Sequence, residues 1–283
     1  MGYRTDIASE AHEQYGDIDG VTSETSEREG CTVVKTTVKT EEAGKTLGKK
    51  PGVYVTVELK GLKTGDIDEE DASHVVAREL SEMIKDGGVL VAGLGNRRMT
   101  PDALGPRTAD GVLATRHIQK LLREYVGIED SRVVSVFSTD VLGRTGIETS
   151  EILRGIISEI NPSSVIVIDA LASMSAQRLG TTVQISDTGI APGSGVGNRR
   201  SEISKDALGV PVIAIGVPTV VDAATIARDL GGGNGNFFAD HGFMVTPKEI
   251  DMLIDSAAAV VAGAINIALN PTVPSDDILH ALA

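Results

Sequence analysis

Three short stretches carry almost no polar side chain: VLVAG from Val89, SVIVID from Ser164 and PVIAIG from Pro211. Strands read like this when both of their faces are buried, which happens in parallel sheets covered by helices. Weaker strand signals lie near 133–137 and 181–186. Helical periodicity fits 106–126 and 148–160, the second ended by INP at 160–162. The expected architecture is a three-layer α/β sandwich around a mostly parallel sheet. Upstream, CTVVKTTV and VYVTVELK flank a turn rich in Gly and Lys, which reads as an N-terminal β-hairpin with a long loop. A helix follows near 70–85, with Val75, Val76, Leu80 and Ile84 on one face. Residues 1 to about 30 are polar and weakly patterned, and read as mobile or draped over the surface. TPKEI opens a last helix, with Thr246 as N-cap, Pro247 at N1 and Glu249 completing a capping box.

The chain has 283 residues and a formal charge of −14. An acidic surface of this kind argues against a broad nucleic-acid interface. A single cysteine, Cys31, excludes an internal disulfide and fits an intracellular setting; the thiol itself reads as buried. The N-terminus lacks an apolar signal region. The run Ala257 to Leu269 is too short to span a bilayer, so no membrane contact is expected.

In doubly wound sheets, ligands bind beyond the carboxyl ends of the strands. Two acids fall there. Asp102 follows the first apolar strand in GLGNRRMTPDALGP (93–106), a glycine turn that lacks the lysine of a phosphate loop. Asp169 ends SVIVID directly. If these carboxyls meet, repulsion and desolvation make them share a proton, and such a pair can activate water and protonate a leaving group. The alternative is that each acid caps a helix or binds backbone amides. Asp222, in VPTVVDA, reads as a helix cap. Gly193, Gly195 and Gly197 lack the spacing of a dinucleotide fingerprint; a bent loop ending in Arg199 and Arg200 is the better reading. His12, His74, His117, His241 and His280 show no metal-binding spacing, and there is no Gly-x-Ser-x-Gly elbow. Neither cofactor nor metal is expected.

The long motifs GLGNRRMTPDALGPR, GRTGIETSEI, VIVIDALAS, QISDTGIAPGSGVGNRR and GVPVIAIGVPTVVDA together resemble the germination protease family of endospore-forming bacteria. The resemblance implies a fold similar to that of hydrogenase maturation proteases, and an atypical aspartic-type endopeptidase. Its substrates would be the small acid-soluble spore proteins, its location the cytoplasm of the forespore or spore core, and its assembly a homotetramer. By motif, the two essential acids fall on Asp102 and Asp169. The family is made as a self-processing zymogen, and its substrates carry an acidic-Ile-Ala-Ser-Glu cleavage sequence. This chain reads RTDIASEA from Arg4, so the resemblance places a processing bond between Asp6 and Ile7. Residues 1–6 would then be a pro-segment, shorter than is usual in the family, and 7–283 a single peptidase domain. Two other readings have distinct requirements: a nickel-holding maturation factor on the same fold, for which only His241 falls on a suitable loop, and a nucleotide-binding module. The cluster Gly231–Gly235 has no assigned role.

Overall fold

The apolar runs become the centre of a nine-stranded sheet. The computed structural model describes residues 5–118, 131–193, 200–229 and 242–273. In chain order the elements are α1 (Ala8–Tyr15), β1 (Val21–Arg28), β2 (Cys31–Val38), α2 (Glu41–Leu47), β3 (Gly52–Glu58), α3 (Glu69–Ser81) and β4 (Val89–Leu94). There follow α4 (Leu104–Asp110), β5 (Val134–Asp140), α5 (Thr149–Ile160), β6 (Ser164–Ser173), β7 (Thr182–Ser186), β8 (Val212–Asp222), α6 (Ala223–Asp229), β9 (Met244–Val245) and α7 (Ile250–Leu269). The strand order is β1-β2-β3-β7-β8-β6-β4-β5, with β9 beside β8.

Strands β8, β6, β4 and β5 run parallel, as their unbroken apolar sequences require. Both faces are covered. Val91, Ile166, Ile168, Ile213 and Ile215 pack towards α3 and α7. The alternate residues Leu90, Val165, Val167 and Val212 pack towards Leu153 and Ile157 of α5. The three layers are therefore helices, sheet and helices. From β7 outward the sheet turns antiparallel and takes in the N-terminal hairpin, so the sheet is mixed beyond its parallel centre.

Several expectations need correction. Residues 5–30 are not a loose drape: they form α1 and β1. Strand β1 was hidden because VTSETSER is an exposed edge strand with no apolar alternation; its register comes from β2, with Val21 opposite Val38. The long hairpin loop holds a helix, α2, capped by Thr40, whose hydroxyl accepts from the Ala43 N–H at 3.2 Å, and closed by left-handed Gly48. Helix α4 stops at Asp110 rather than near 126; residues 119–130 lie outside the described part. The capping box at Thr246 does not form. Thr246 Oγ1 instead donates to Thr219 O at 3.1 Å, and the helix begins at Ile250.

The final apolar run belongs to the 20-residue α7, which is long and apolar enough by composition to cross a membrane. Helix α7 is longer than the apolar run Ala257–Leu269 because it starts at Ile250 and takes in the more polar turns before that run. The helix is a core element here: Ile254, Ala258, Val261 and Ile265 are buried against α3, where Gly263 admits Ser73.

Candidate functional site

The chain leaves β4 to form β5 on one side, then returns to form β6 on the other. The crevice between the carboxyl ends of β4 and β6 is thus the point where strand order reverses, the usual ligand position in such sheets. Both sequence-selected acids come to it. Asp169 lies one residue beyond Ile168, the last β6 residue paired with β4. Asp102 ends a 3₁₀ turn, Thr100–Asp102, in the loop after β4.

The glycines of this loop permit close approach. Gly95 adopts φ +104°, and a Cβ there would stand 2.2 Å from the Asp102 carbonyl oxygen. A Cβ on Gly105 would stand 2.2 Å from Leu94 O and 2.6 Å from Ile168 O, so α4 rests directly on the strand ends. The Asn96 N–H donates to Asp102 Oδ2 at 2.8 Å, and Thr219 Oγ1 donates to Pro101 O at 2.7 Å, which ties the turn to β8.

Both carboxyls are pushed above the ordinary aspartate range. For Asp169, only 6% exposed, burial is the main cause; the charge of Asp102 adds to it, the Ala170 N–H opposes it, and Asp6 adds further. Burial also raises Asp102, against the Asn96 N–H and the charge of Arg200, with Asp140 adding. The buried Asp169 and the partly buried Asp102 stand close enough for the charge of Asp102 to raise Asp169, the arrangement in which two carboxyls can share a proton. They border one cleft of about 1120 Å³, which Asp140, Arg200, Lys49 and Gln184 also line.

The N-terminal segment runs past this cleft and contributes Asp6 to its lining. The Asp6 N–H donates to Ala172 O at 2.9 Å, and the Ala172 N–H donates to Asp6 Oδ2 at 2.9 Å. Gln184 Nε2 donates to Asp6 O at 2.8 Å, and the Ala8 N–H donates to Gln184 Oε1 at 2.6 Å. Ile7 and Ala8 are wholly buried. Glu10 is 2% exposed; its carboxylate accepts from Ser173 Oγ at 2.6 Å and from the Met174 N–H at 2.9 Å. Arg178 stands 3.6 Å from Glu10, donates to Ser9 Oγ at 2.9 Å, and also pairs with Glu13 and Glu58. Lys49 Nζ donates to Thr5 O at 3.2 Å. Burial lowers the Lys49 pKa, against the charges of Asp6 and Glu10.

Asp6, Asp102 and Asp169 therefore line one cleft, with Ile7 buried next to Asp6, although Asp102 and Asp169 follow Asp6 by 96 and 163 residues in the chain. Sequence reading missed Lys49, Arg178 and Gln184. Lys49 was hidden by the unrecognised α2, and Arg178 by a turn without periodicity. Gln184 left one trace, a polar side chain inside the strand TVQIS. Asp222 is a cap, as read: its Oδ1 accepts from the Ala224 N–H at 2.8 Å. Cys31 is fully buried, and its thiol pKa is raised by burial and then by Glu29 and Glu27. His74 and His117 are exposed and away from the cleft. Gly195, Gly197, Arg199, Gly231–Gly235, His241 and His280 lie outside the described residues. Among the described residues no group of three or more His, Cys, Asp or Glu is placed to hold a metal.

Comparison with known proteins adds a second line. Residues 3–231 match the family model described as germination protease. A germination protease of Caldanaerobacter subterraneus subsp. tengcongensis is 44% identical over 312 aligned residues, covering 96% of this chain and 95% of the relative. A germination protease of Bacillus mycoides is 39% identical, covering 97% and 95%. Among solved structures, the [NiFe] hydrogenase maturation protease HycI from Thermococcus kodakarensis KOD1 is 20% identical, with a TM-score of 0.40; 68% of this chain and 98% of that one are covered.

Proposed function

The chain belongs to the germination protease family, which makes it a protease of spore germination, and from that premise we propose that it is an aspartic-type endopeptidase made as its own zymogen. Its substrates are the small acid-soluble spore proteins, met in the spore core. The observation that carries this reading is the placement of Asp6-Ile7-Ala8-Ser9-Glu10, which has the form of the substrate sequence: Asp6 lines the cleft that Asp102 and Asp169 share, and Glu10 is held beyond it by Ser173 and the Met174 N–H.

The two acids divide the work by environment. Asp169 is the more buried, and it carries the shared proton. Asp102, held by the Asn96 N–H and facing Arg200, carries the charge. The charged carboxylate takes a proton from water, and the oxygen attacks the carbonyl carbon before the scissile bond. Asp169 gives its proton to the carbonyl oxygen. When the tetrahedral species collapses, Asp102 passes the proton it took from water to the nitrogen, the C–N bond breaks, and Asp169 takes back the hydroxyl proton as the new carboxyl forms. Neither step needs a covalent enzyme intermediate.

Subsites follow from the seated segment. The pocket of Ser173, the Met174 N–H and Arg178 takes the acidic residue four places after the bond. Until it is cut, the tethered segment competes with substrate at high effective concentration. A homotetramer is carried over with the family reading.

The test is a peptide with an acidic-Ile-Ala-Ser-Glu core, incubated with processed protein and analysed by mass. Cleavage after the acidic residue supports the reading. Cleavage elsewhere, or undiminished turnover when the Glu is replaced by Lys, contradicts it.

A further inference from the structure

Strand β7, TVQIS, alternates. Val183 and Ile185 face the core beneath α3 and α7, which sends Gln184 to the opposite face, the face that Asp169 shares. Gln184 lies opposite Gly216 of β8, and Gly216 lies opposite Asp169 of β6. The carboxamide and the acid thus stand in one row across the sheet, two strands and about 10 Å apart at the backbone. Gly216, between them, contributes no side chain; a Cβ there would stand 2.4 Å from Leu171 Cγ.

A carboxamide that is only 8% exposed must find partners for both of its ends. It finds them on either side of one residue, Ile7, in the two consecutive peptide groups that flank it. Nε2 donates to Asp6 O, and Oε1 accepts from the Ala8 N–H. The partners fix which end is which, because a carbonyl only accepts and an amide N–H only donates. Reversing the carboxamide would break both bonds at once.

We propose that Gln184 is a third catalytic residue: its Nε2–H binds the carbonyl oxygen of the bond being cut, while its Oε1 holds the chain beyond that bond in register. This rests on the reading that Asp102 and Asp169 cut Asp6–Ile7. A donor fixed on that oxygen before reaction stabilises the negative charge that gathers there when water attacks, and it does so in a site with little water. The proton that finally neutralises the oxygen comes from the acid pair; Gln184 donates a hydrogen bond and transfers nothing. Its rigid placement on a central strand, rather than on a loop, keeps the donor aimed without reorganisation.

The experiment uses the full chain, followed by mass for loss of the segment before Ile7, and the processed protein on the acidic-Ile-Ala-Ser-Glu peptide. Gln184→Ala is expected to slow both reactions roughly 10²- to 10³-fold, with the loss on the peptide falling in kcat rather than KM. Gln184→Glu keeps the shape and can still accept from the backbone. As a carboxylate it cannot donate, so it is expected to be as slow as Gln184→Ala at neutral pH. It should recover as the pH falls and the new carboxyl gains a proton to donate. The ionisable side chains of Asp6, Asp102, Asp169 and Lys49 line the same cleft in both proteins, so the comparison is with the parent profile. A rise in KM with unchanged kcat for Gln184→Ala, or a parental pH profile for Gln184→Glu, overturns the proposal. If Gln184→Ala does not fold, the near-isosteric Glu variant decides alone. Parental rates in the Gln184 variants, with Asp102→Asn and Asp169→Asn inactive, remove only this inference. Cleavage that survives in the two Asn variants removes the two-acid reading beneath it.

Discussion

A carboxyl buried within a central strand works against the fold at neutral pH, and Asp169, where β6 loses its pairing with β4, makes this measurable. Its pKa is raised in the folded state, so folding favours its protonated form. The stabilising contribution is therefore fully present below the ordinary aspartate pKa of 3.8 and is lost as the pH rises through the folded value. Asp169→Asn removes the titration. Thermal melting should show the variant more stable than the parent at pH 7, with the gap closing as the pH falls towards 3.8. A gap that does not depend on pH would refute the burial argument. The same variant, like Asp102→Asn, should lose cleavage altogether, since a shared proton needs both carboxyls. For Cys31 the expectation is the reverse. The thiol is buried, outside the cleft and held protonated, so Cys31→Ala should keep its turnover, and thiol reagents should leave the native protein untouched. Residue by residue, the two acids were legible because a charged side chain directly after an apolar run, or in the glycine turn that follows one, is conspicuous, although β6 continues past Asp169 to Ser173. Gln184 and Arg178 were not, because their partners lie far away in the chain.

At the scale of elements, the site depends on how closely α4 rests on β4 and β6. Gly105 faces Leu94 O, Leu94 N and Ile168 O, all within 2.6 Å of any added Cβ. Backbone cannot give way as a flexible side chain can. Gly105→Ala should cost about 3 kcal/mol or more, seen in denaturant unfolding, and should displace Asp102 with it. A second element-level test concerns α1, whose first turn is buried end-on rather than along one face. Arg178 neutralises Glu10 and Glu58, whose side chains are 3% and 8% exposed. Arg178→Ala removes this cation from both, leaving Glu58 with Lys60 and Glu10 with its neutral donors Ser173 and Met174, and should cost about 3 kcal/mol; a loss below 1 kcal/mol, measured the same way, would mean that those remaining partners suffice. The parallel strands could be read from sequence because burial on both faces leaves no polar position. Helices α1 and α2 could not, since they are shorter than the length over which periodicity shows, and β1 gains its structure only from β2.

Taken whole, the molecule joins two halves with different duties. The parallel half brings Asp102 and Asp169 to the point where strand order reverses. The antiparallel half, which the apolar runs did not announce, supplies Lys49 and Gln184 as the opposite wall. The N-terminal segment passes between them and places Asp6 in the lining of the cleft. The layered fold followed from hydrophobic pattern alone. The seating of residues 5–10 did not, because it is a tertiary contact between the start of the chain and a strand more than 160 residues later. The central claim is that this segment is seated as a substrate of the acid pair. N-terminal sequencing of the full chain, sampled over time at mildly acidic pH, tests it most directly. The account predicts a single new terminus at Ile7 in the parent and none in Asp102→Asn or Asp169→Asn. A fully active protein that keeps the residues before Ile7, or a new terminus at another bond, would contradict it.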